Sequence, residues 1–163
     1  MTDDESIEFK KAVLPGDIEA LCEFDRRIFG AYSDDLFTEE DWAELESYWV
    51  IGDGNKIIGC IALKRDVDYD EESRPGCLYI ESTGILPEYQ GHGFGNKAKT
   101  WQIEFAKEHG YEIIVTNMRQ SNGRSMELNK KFGFQAREIV PHYYTGPDEP
   151  ALVMELRLDV TQS

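Results

Sequence analysis

Three glycines alternate with other residues in Gln90-Gly91-His92-Gly93-Phe94-Gly95, between a strand-like and a helix-like segment. Glycine lets backbone N–H groups turn toward a ligand, because no Cβ blocks the approach. The N-terminus of a following helix adds partial positive charge. Together these suit a diphosphate. The competing reading is a tight strand-to-helix turn with no ligand. Two other glycine loops are excluded. A Walker loop needs Gly-Lys-Ser/Thr, whereas Gly95 is followed by Asn96-Lys97-Ala98. The dinucleotide fingerprint needs a glycine where Asn96 stands, after the first strand of a βαβ unit. Glu81 follows the apolar run Cys77-Leu78-Tyr79-Ile80. A carboxylate there is costly to bury, so it either faces a cleft with a raised pKa or faces solvent. His92 and His142 read as exposed and lightly held.

The elements that must position these residues follow from periodicity and punctuation. Residues 7–13 read as a strand. Asp17 is placed to cap a helix ending at about Phe29, with Ile18, Leu21, Cys22 and Ile28 near one face and Gly30 as its stop. Thr38-Glu39-Glu40-Asp41 resembles a capping box opening a short helix through Trp42 and Leu45. Tyr48–Ile51 and Lys56–Leu63 read as strands joined by the hairpin signal Gly52-Asp53-Gly54-Asn55. Residues 64–76 are charged, contain Arg74-Pro75-Gly76 and read as a loop. A strand over Leu78–Leu86 leads into a helix from about Gly93 to His109, with Phe94, Ala98, Trp101 and Phe105 as its buried stripe. Tyr111–Thr116 reads as a buried strand. Asn122 is placed to cap a helix carrying Ser125, Leu128 and Phe132 on one side. Strands over Phe134–Val140 and Ala151–Leu158 follow, with 141–150 between them as a loop. The order describes one α/β sandwich around a mixed sheet.

Two blocks carry a family resemblance. Ile85-Leu86-Pro87-Glu88-Tyr89-Gln90-Gly91-His92-Gly93-Phe94-Gly95 resembles the cofactor motif of the GNAT (general N-acetyltransferase) superfamily. Asn122-Gly123-Arg124-Ser125-Met126-Glu127-Leu128, then Lys130-Lys131-Phe132-Gly133-Phe134, resembles its second block. The likeness is strong from 78 to 134 and loose over the rest of 8–158. It implies a single domain over 1–163 with a GNAT-type α/β sandwich. That fold has one mixed, mostly antiparallel sheet of about seven strands with a splayed central pair, flanked by about four helices. It also implies acetyl-CoA as co-substrate, with no metal. Thr83, Gly84 and Ile85 would meet the pantetheine arm. Gln90, Gly91, His92, Gly93, Phe94, Gly95 and Asn96 would seat the diphosphate, and Asn122 and Ser125 would lie at the arm. Lys97, Arg119, Arg124, Lys130 and Lys131 are basic residues near this region, each read on its own as solvated, while the cluster favours some contact with the adenosine phosphates.

The resemblance further implies an N-acetyltransferase that moves an acetyl group to a primary amine by direct attack. No cysteine occupies a motif position, which disfavours a covalent enzyme intermediate. Glu81 stands where related members carry an acidic residue and is the candidate base. The family's usual acid position, four residues before Gly133-Phe134, holds Asn129, and a Glu position of the N-terminal-acetylating members holds Asn117. Tyr143 and Tyr144 are candidate replacements and resemble acceptor-holding tyrosines. A domain that binds acyl-CoA without turnover, and an unrelated α/β nucleotide binder, are the competing readings.

The chain has 163 residues and 40% hydrophobic content, enough for a real core in one domain. Its net charge of −15 argues against nucleic acid or an anionic membrane as partner. Residues 1–88 carry 23 acidic and 8 basic side chains, whereas residues 89–163 carry 9 of each. The acids either keep the protein soluble or leave an acidic half for a cationic acceptor, a small molecule or a peptide N-terminus. That acidic side would be built by Asp34, Asp35, the helix around Trp42 and residues 141–150. The polar start Met1-Thr2-Asp3-Asp4-Glu5 is unlike a signal or transit peptide. Cys22, Cys60 and Cys77 are odd in number and widely spaced, which suits a reducing cytoplasm. The oligomeric state is open, a homodimer among the options.

Overall fold

The run Cys77-Leu78-Tyr79-Ile80 is apolar at every position, and such a run forms a strand when both faces of the sheet are covered. In the computed structural model, which describes residues 7–30 and 36–158, all four side chains are at most 1% exposed. They lie on β4 (Ser73–Ile85), the middle strand of seven. The others are β1 (Glu8–Lys11), β2 (Glu46–Ile51), β3 (Ile57–Val67), β5 (Ile113–Arg119), β6 (Gln135–Thr145) and β7 (Asp148–Arg157), in the order β1-β2-β3-β4-β5-β7-β6. Only β4 and β5 pair in parallel; the other neighbours are antiparallel. The helices are α1 (Ile18–Phe29), α2 (Glu39–Glu44), α3 (Phe94–Glu108) and α4 (Gly123–Lys131). Leu78, Ile80 and Ile114 face a core with Phe94, Ala98 and Phe105 of α3. On the opposite face, Leu21 and Phe24 of α1 and Trp42 of α2 pack with Trp49, Cys60 and Ala62. Among the described residues no helix is long and apolar enough to cross a membrane.

Two irregularities interrupt the pairing of β4. Ala62 pairs with Ser82 and Leu63 with Ile80, so Glu81 is an extra residue bulged out of the β3–β4 ladder. β4 and β5 pair only from Cys77–Ile80 against Ile113–Thr116. Beyond that point β4 continues to Ile85 and β5 to Arg119 without pairing each other. This is the expected splayed central pair.

Several local expectations hold and others are corrected. The Thr38 capping box is present, with Asp41 N donating to Thr38 Oγ1 and Thr38 N to Asp41 Oδ2. Asn122 caps α4, its Oδ1 accepting from Ser125 N at 3.1 Å. Asp17 stands at the start of α1 but does not cap it; its Oδ2 accepts from Val13 N and from the Trp49 indole instead. A buried indole needs an acceptor, and that demand outweighs the local cap. Residues 64–76 are not a loop throughout: β3 runs to Val67 and β4 begins at Ser73. Residues 141–150 are likewise a hairpin, because β6 runs to Thr145 and β7 begins at Asp148. β6 is an edge strand, so Pro141 has an open side on which its missing N–H breaks no ladder.

Candidate active site

Where β4 and β5 part, a cleft of about 680 Å³ opens. It is lined by Glu81–Ile85 of β4, Thr116–Arg119 of β5, residues of α1, α3 and α4, and Tyr143 and Tyr144 of β6. At its apex Thr116 Oγ1 donates to the Ile80 carbonyl at 3.1 Å.

One end of the cleft reaches the glycine loop at Gln90 and Gly95, while Gly91, His92, Gly93, Phe94 and Asn96 lie beyond its lining. Gly91 and Gly93 have φ of 82° and 86°, and a Cβ on either would point into open space. Both positions therefore need glycine for conformation and leave room above the backbone. Gly95 is different: it lies within α3, and a Cβ there would make an ordinary 3.6 Å contact with Leu128. No side chain caps α3. The first amide of this stretch to reach a carbonyl is Lys97 N, on Gly93 O at 3.2 Å. The earlier donors are available for an anion. Phe94 can offer only its N–H, since its ring is buried in the core.

Side chains around the loop are mostly engaged. Gln90 Nε2 donates to the Ile85 carbonyl at 2.9 Å, and Arg124 donates to Gln90 Oε1 at 3.2 Å. Gln90 thus ties the end of β4 to α4, and the Ile85 carbonyl is taken. Asn96 Oδ1 accepts from Lys131 Nζ at 2.9 Å. Arg119 clamps the β6–β7 turn, donating to Pro147 O and Glu149 Oε1 and stacking 4.6 Å from the Tyr144 ring. His92 is exposed, Asn122 is used as the α4 cap, and Ser125 accepts from Asn129 Nδ2 at its carbonyl. Thr83 Oγ1 accepts from Gln102 Nε2. Gly84 is buried, and a Cβ there would come within 2.8 Å of Ile28 Cδ1, so it also lets α1 approach β4.

The other end of the cleft is built around Glu81. The bulge turns its carboxylate inward, and among the described residues Oε1 is buried with no partner. Burial pushes its pKa up to about 7, with Lys64 opposing and Glu71 and Asp41 adding to the rise. Tyr143 and Tyr144 are sequence neighbours and would point to opposite faces of a regular strand. Both line the cleft because β6 is irregular: Val140 pairs with Ala151 but Tyr144 with Glu149, and His142 between them has φ of 56°. Tyr144 OH accepts from Asn117 Nδ2 at 2.9 Å, and Asn117 Oδ1 accepts from Tyr79 OH at 2.5 Å. His142 is exposed and pairs with Asp148.

Four residues have parts in the site that the sequence did not assign. Tyr79 passes for one more apolar residue in its strand, and Asn117 reads only as a departure from a pattern. Asp25 of α1 is 6% exposed, accepts from Phe37 N at 3.0 Å and is raised by burial to about 6. Lys99 of α3 is 4% exposed. Its signal was present: Gly95, Lys99, Gln102 and Ala106 repeat at helical spacing beside the stripe of Phe94, Ala98, Trp101 and Phe105. Asp34 and Asp35 lie outside the described residues. Among the described residues no group of three or more His, Cys, Asp or Glu side chains is placed to hold a metal ion.

A sequence model described as the Acetyltransferase (GNAT) family matches residues 18–134. A [ribosomal protein bS18]-alanine N-acetyltransferase of Haemophilus influenzae is 38% identical over 73 residues, 43% of this chain and 49% of that protein. The chain thus spans about half the length of that curated relative. The ribosomal-protein-S18-alanine N-acetyltransferase of Escherichia coli superposes with a TM-score of 0.77 at 16% identity, covering 97% of each chain. An acetyltransferase of Bacillus subtilis solved in complex with CoA has a TM-score of 0.74 at 18% identity, over 94% of this chain and 100% of that one.

Proposed function

Because the chain belongs to the acetyltransferase (GNAT) family, we propose that it transfers the acetyl group of acetyl-CoA to a primary amine by direct attack. One observation carries the reading. A single cleft runs from Gln90 and Gly95, at the uncapped start of α3, to Glu81, whose Oε1 is buried without a hydrogen-bond partner among the described residues. The residues present fit the co-substrate. Amides from Gly91 to Asn96 would take the diphosphate. The free edge of β4 at Thr83 and Gly84 would take the amide arm, with Ile85 held in place by Gln90. Asn122 and Ser125 would border the arm from α4. When bound, acetyl-CoA supplies a thioester carbonyl open to attack.

Glu81 takes the proton that the amine sheds as it attacks; a carboxylate held near 7 is well matched to that task. Tyr143 and Tyr144 hold the acceptor beside it, with Asn117 fixing the Tyr144 hydroxyl. No cysteine lines the cleft, and burial raises the Cys60 and Cys77 thiols well above the usual range, Cys77 to about 11. A thiol so raised is a poor nucleophile, which favours direct attack. Free thiols suit the reducing cytoplasm.

The acceptor mouth is acidic, with Asp25 in the cleft wall and Glu71 and Asp41 adding their field at Glu81. A cationic amine fits it. The names of the Haemophilus and Escherichia relatives favour a peptide N-terminus over a small amine. Incubation with acetyl-CoA and a panel of amines, followed by thiol release, tests the reading. Peptides with free N-termini are expected to be consumed first, then polyamines. Failure of coenzyme A to bind by calorimetry would overturn the proposal.

A further inference from the structure

The wall of the cleft formed by α3 contains a lysine that the proposed transfer leaves unused. Lys99 is 4% exposed and lines the cleft. Its ammonium lies 4.7 Å over the Phe134 ring, and among the described residues no hydrogen bond or ion pair holds it. Two amide oxygens on α3 and α4 are fully buried without partners among the described residues. They are Gln102 Oε1, three residues along α3, and Asn129 Oδ1 on α4. Asn129 O accepts from Phe134 N, which ties the ring under Lys99 to the Asn129 backbone. A buried ammonium without an acceptor is costly, and such groups collect where a ligand supplies the missing partner.

We infer that Lys99 is a catalytic acid of this cleft, giving its proton to the sulfur that leaves the acyl donor. The inference rests on the acetyl-CoA reading. Burial alone lowers Lys99 to about 7, with no charged neighbour contributing. Across the cleft stand the carboxylates of Asp25 and Glu81, the guanidiniums of Arg119 and Arg124, and the phenols of Tyr79, Tyr143 and Tyr144. The phenols of Tyr79 and Tyr143 are raised by burial and are weaker acids than a thiol, which titrates near ~8.5. Guanidiniums do not release protons. Glu81 is the base, and Asp25 holds Phe37 N. Lys99 is a stronger acid than the thiol it would form, so its transfer runs downhill.

The step balances. The amine nitrogen forms its bond to the acetyl carbon, and the carbon–sulfur bond breaks with its electron pair on sulfur. Lys99 protonates that sulfur and is left neutral, while Glu81 takes the proton lost from nitrogen. Water returns a proton from Glu81 to Lys99. One amine and one thioester become one amide and one thiol.

Lys99→Met keeps the volume of the side chain and removes its charge, and a melting curve checks that it folds. By calorimetry at pH 9, the wild type is expected to bind coenzyme A about ten-fold tighter than its desulfo analogue, the scale of one charge-assisted hydrogen bond. Lys99→Met is expected to bind both alike. With an amine acceptor, Lys99→Met should lower kcat by ~10²-fold, leave KM for acetyl-CoA within about two-fold, and abolish the alkaline fall of kcat. Equal affinity of the wild type for the two ligands, or an unchanged kcat and pH profile in Lys99→Met, overturns the assignment while leaving the transferase reading intact. So does acetylation of Lys99 itself, seen as added mass after incubation with acetyl-CoA. If neither ligand binds the wild type, the acetyl-CoA reading falls, and this inference with it.

Discussion

At Glu81 the extra residue of the β4 bulge places a carboxylate in the cleft, with Oε1 buried and without a hydrogen-bond partner among the described residues. Burial, Glu71 and Asp41 all raise its pKa, and only Lys64 opposes them. A base must be ionised to act, so Glu81 sets a rising limb near 7 beneath the alkaline fall that Lys99 imposes, and that limb stands alone in Lys99→Met. Glu81→Gln is expected to lower kcat/KM by ~10²-fold or more and to remove that rising limb. An unchanged profile would move the role to another group. Lys64 gives a second handle. It pairs with Glu71 at 3.0 Å and pulls Glu81 down. Lys64→Met removes that pull and leaves Glu71 uncompensated, so the rising limb, read in a Lys99→Met background, should shift to higher pH. A limb that stays in place would show that Glu81 does not set it.

At the scale of elements, the loop between β4 and α3 offers the most direct test. Gly93 has φ of 86° and no atom within 4 Å of a Cβ built upon it. Valine there meets backbone strain of about 1–3 kcal/mol and places its branch over the free amides. Gly93→Val should therefore fold with a melting temperature lower by several degrees and lose measurable affinity for coenzyme A. Retained affinity would exclude the loop as the diphosphate seat. This loop, α3 and the α4 cap were legible because their signals are local: glycine spacing, a buried stripe and an Asn at the cap. The two hairpins were not: Arg74-Pro75-Gly76 is a turn signal that strand pairing overrides, and Gly146-Pro147 is a real turn whose flanking residues gave no strand pattern. Pro75 falls in the irregular stretch between Leu78, paired with Arg65, and Ser73, paired with Val67. The β6 irregularity that brings Tyr143 and Tyr144 into one cleft depends on register with β7, which no run of neighbouring residues encodes. Asn117 is the clearest case. By position it is an absent glutamate, but in the fold it joins Tyr79 to Tyr144.

For the molecule as a whole, the cleft groups set how stability depends on pH. Unfolded, Asp25 and Glu81 titrate near ~4; folded, burial raises them to about 6 and about 7. Between those limits the folded state binds more protons, so their contribution is full below about pH 4 and is lost as pH rises through about 7. Lys99 runs the other way. Its folded value of about 7 lies below the unfolded ~10.4. Its contribution is full above about pH 10 and is lost as pH falls through about 7. Glu46 and Asp68 are raised by burial but held lower overall by Arg65 and Arg137, so their contribution is lost only in stronger acid. Near neutrality the protein therefore bears the cost of both cleft carboxylates and of the buried amine at once. Self-repulsion from a net charge of −15 also relaxes toward acid, which makes the acid side alone a poor readout. Comparing variants removes that background. Lys99→Met should raise the melting temperature at pH 7 by on the order of 5 °C and flatten the gain that the wild type shows from pH 7 to 9. Glu81→Gln should leave that alkaline gain and shrink the one between pH 7 and 5. Parallel melting curves for all three proteins from pH 5 to 9 would mean that water reaches both groups, and that the cleft is not the low-dielectric site its chemistry requires.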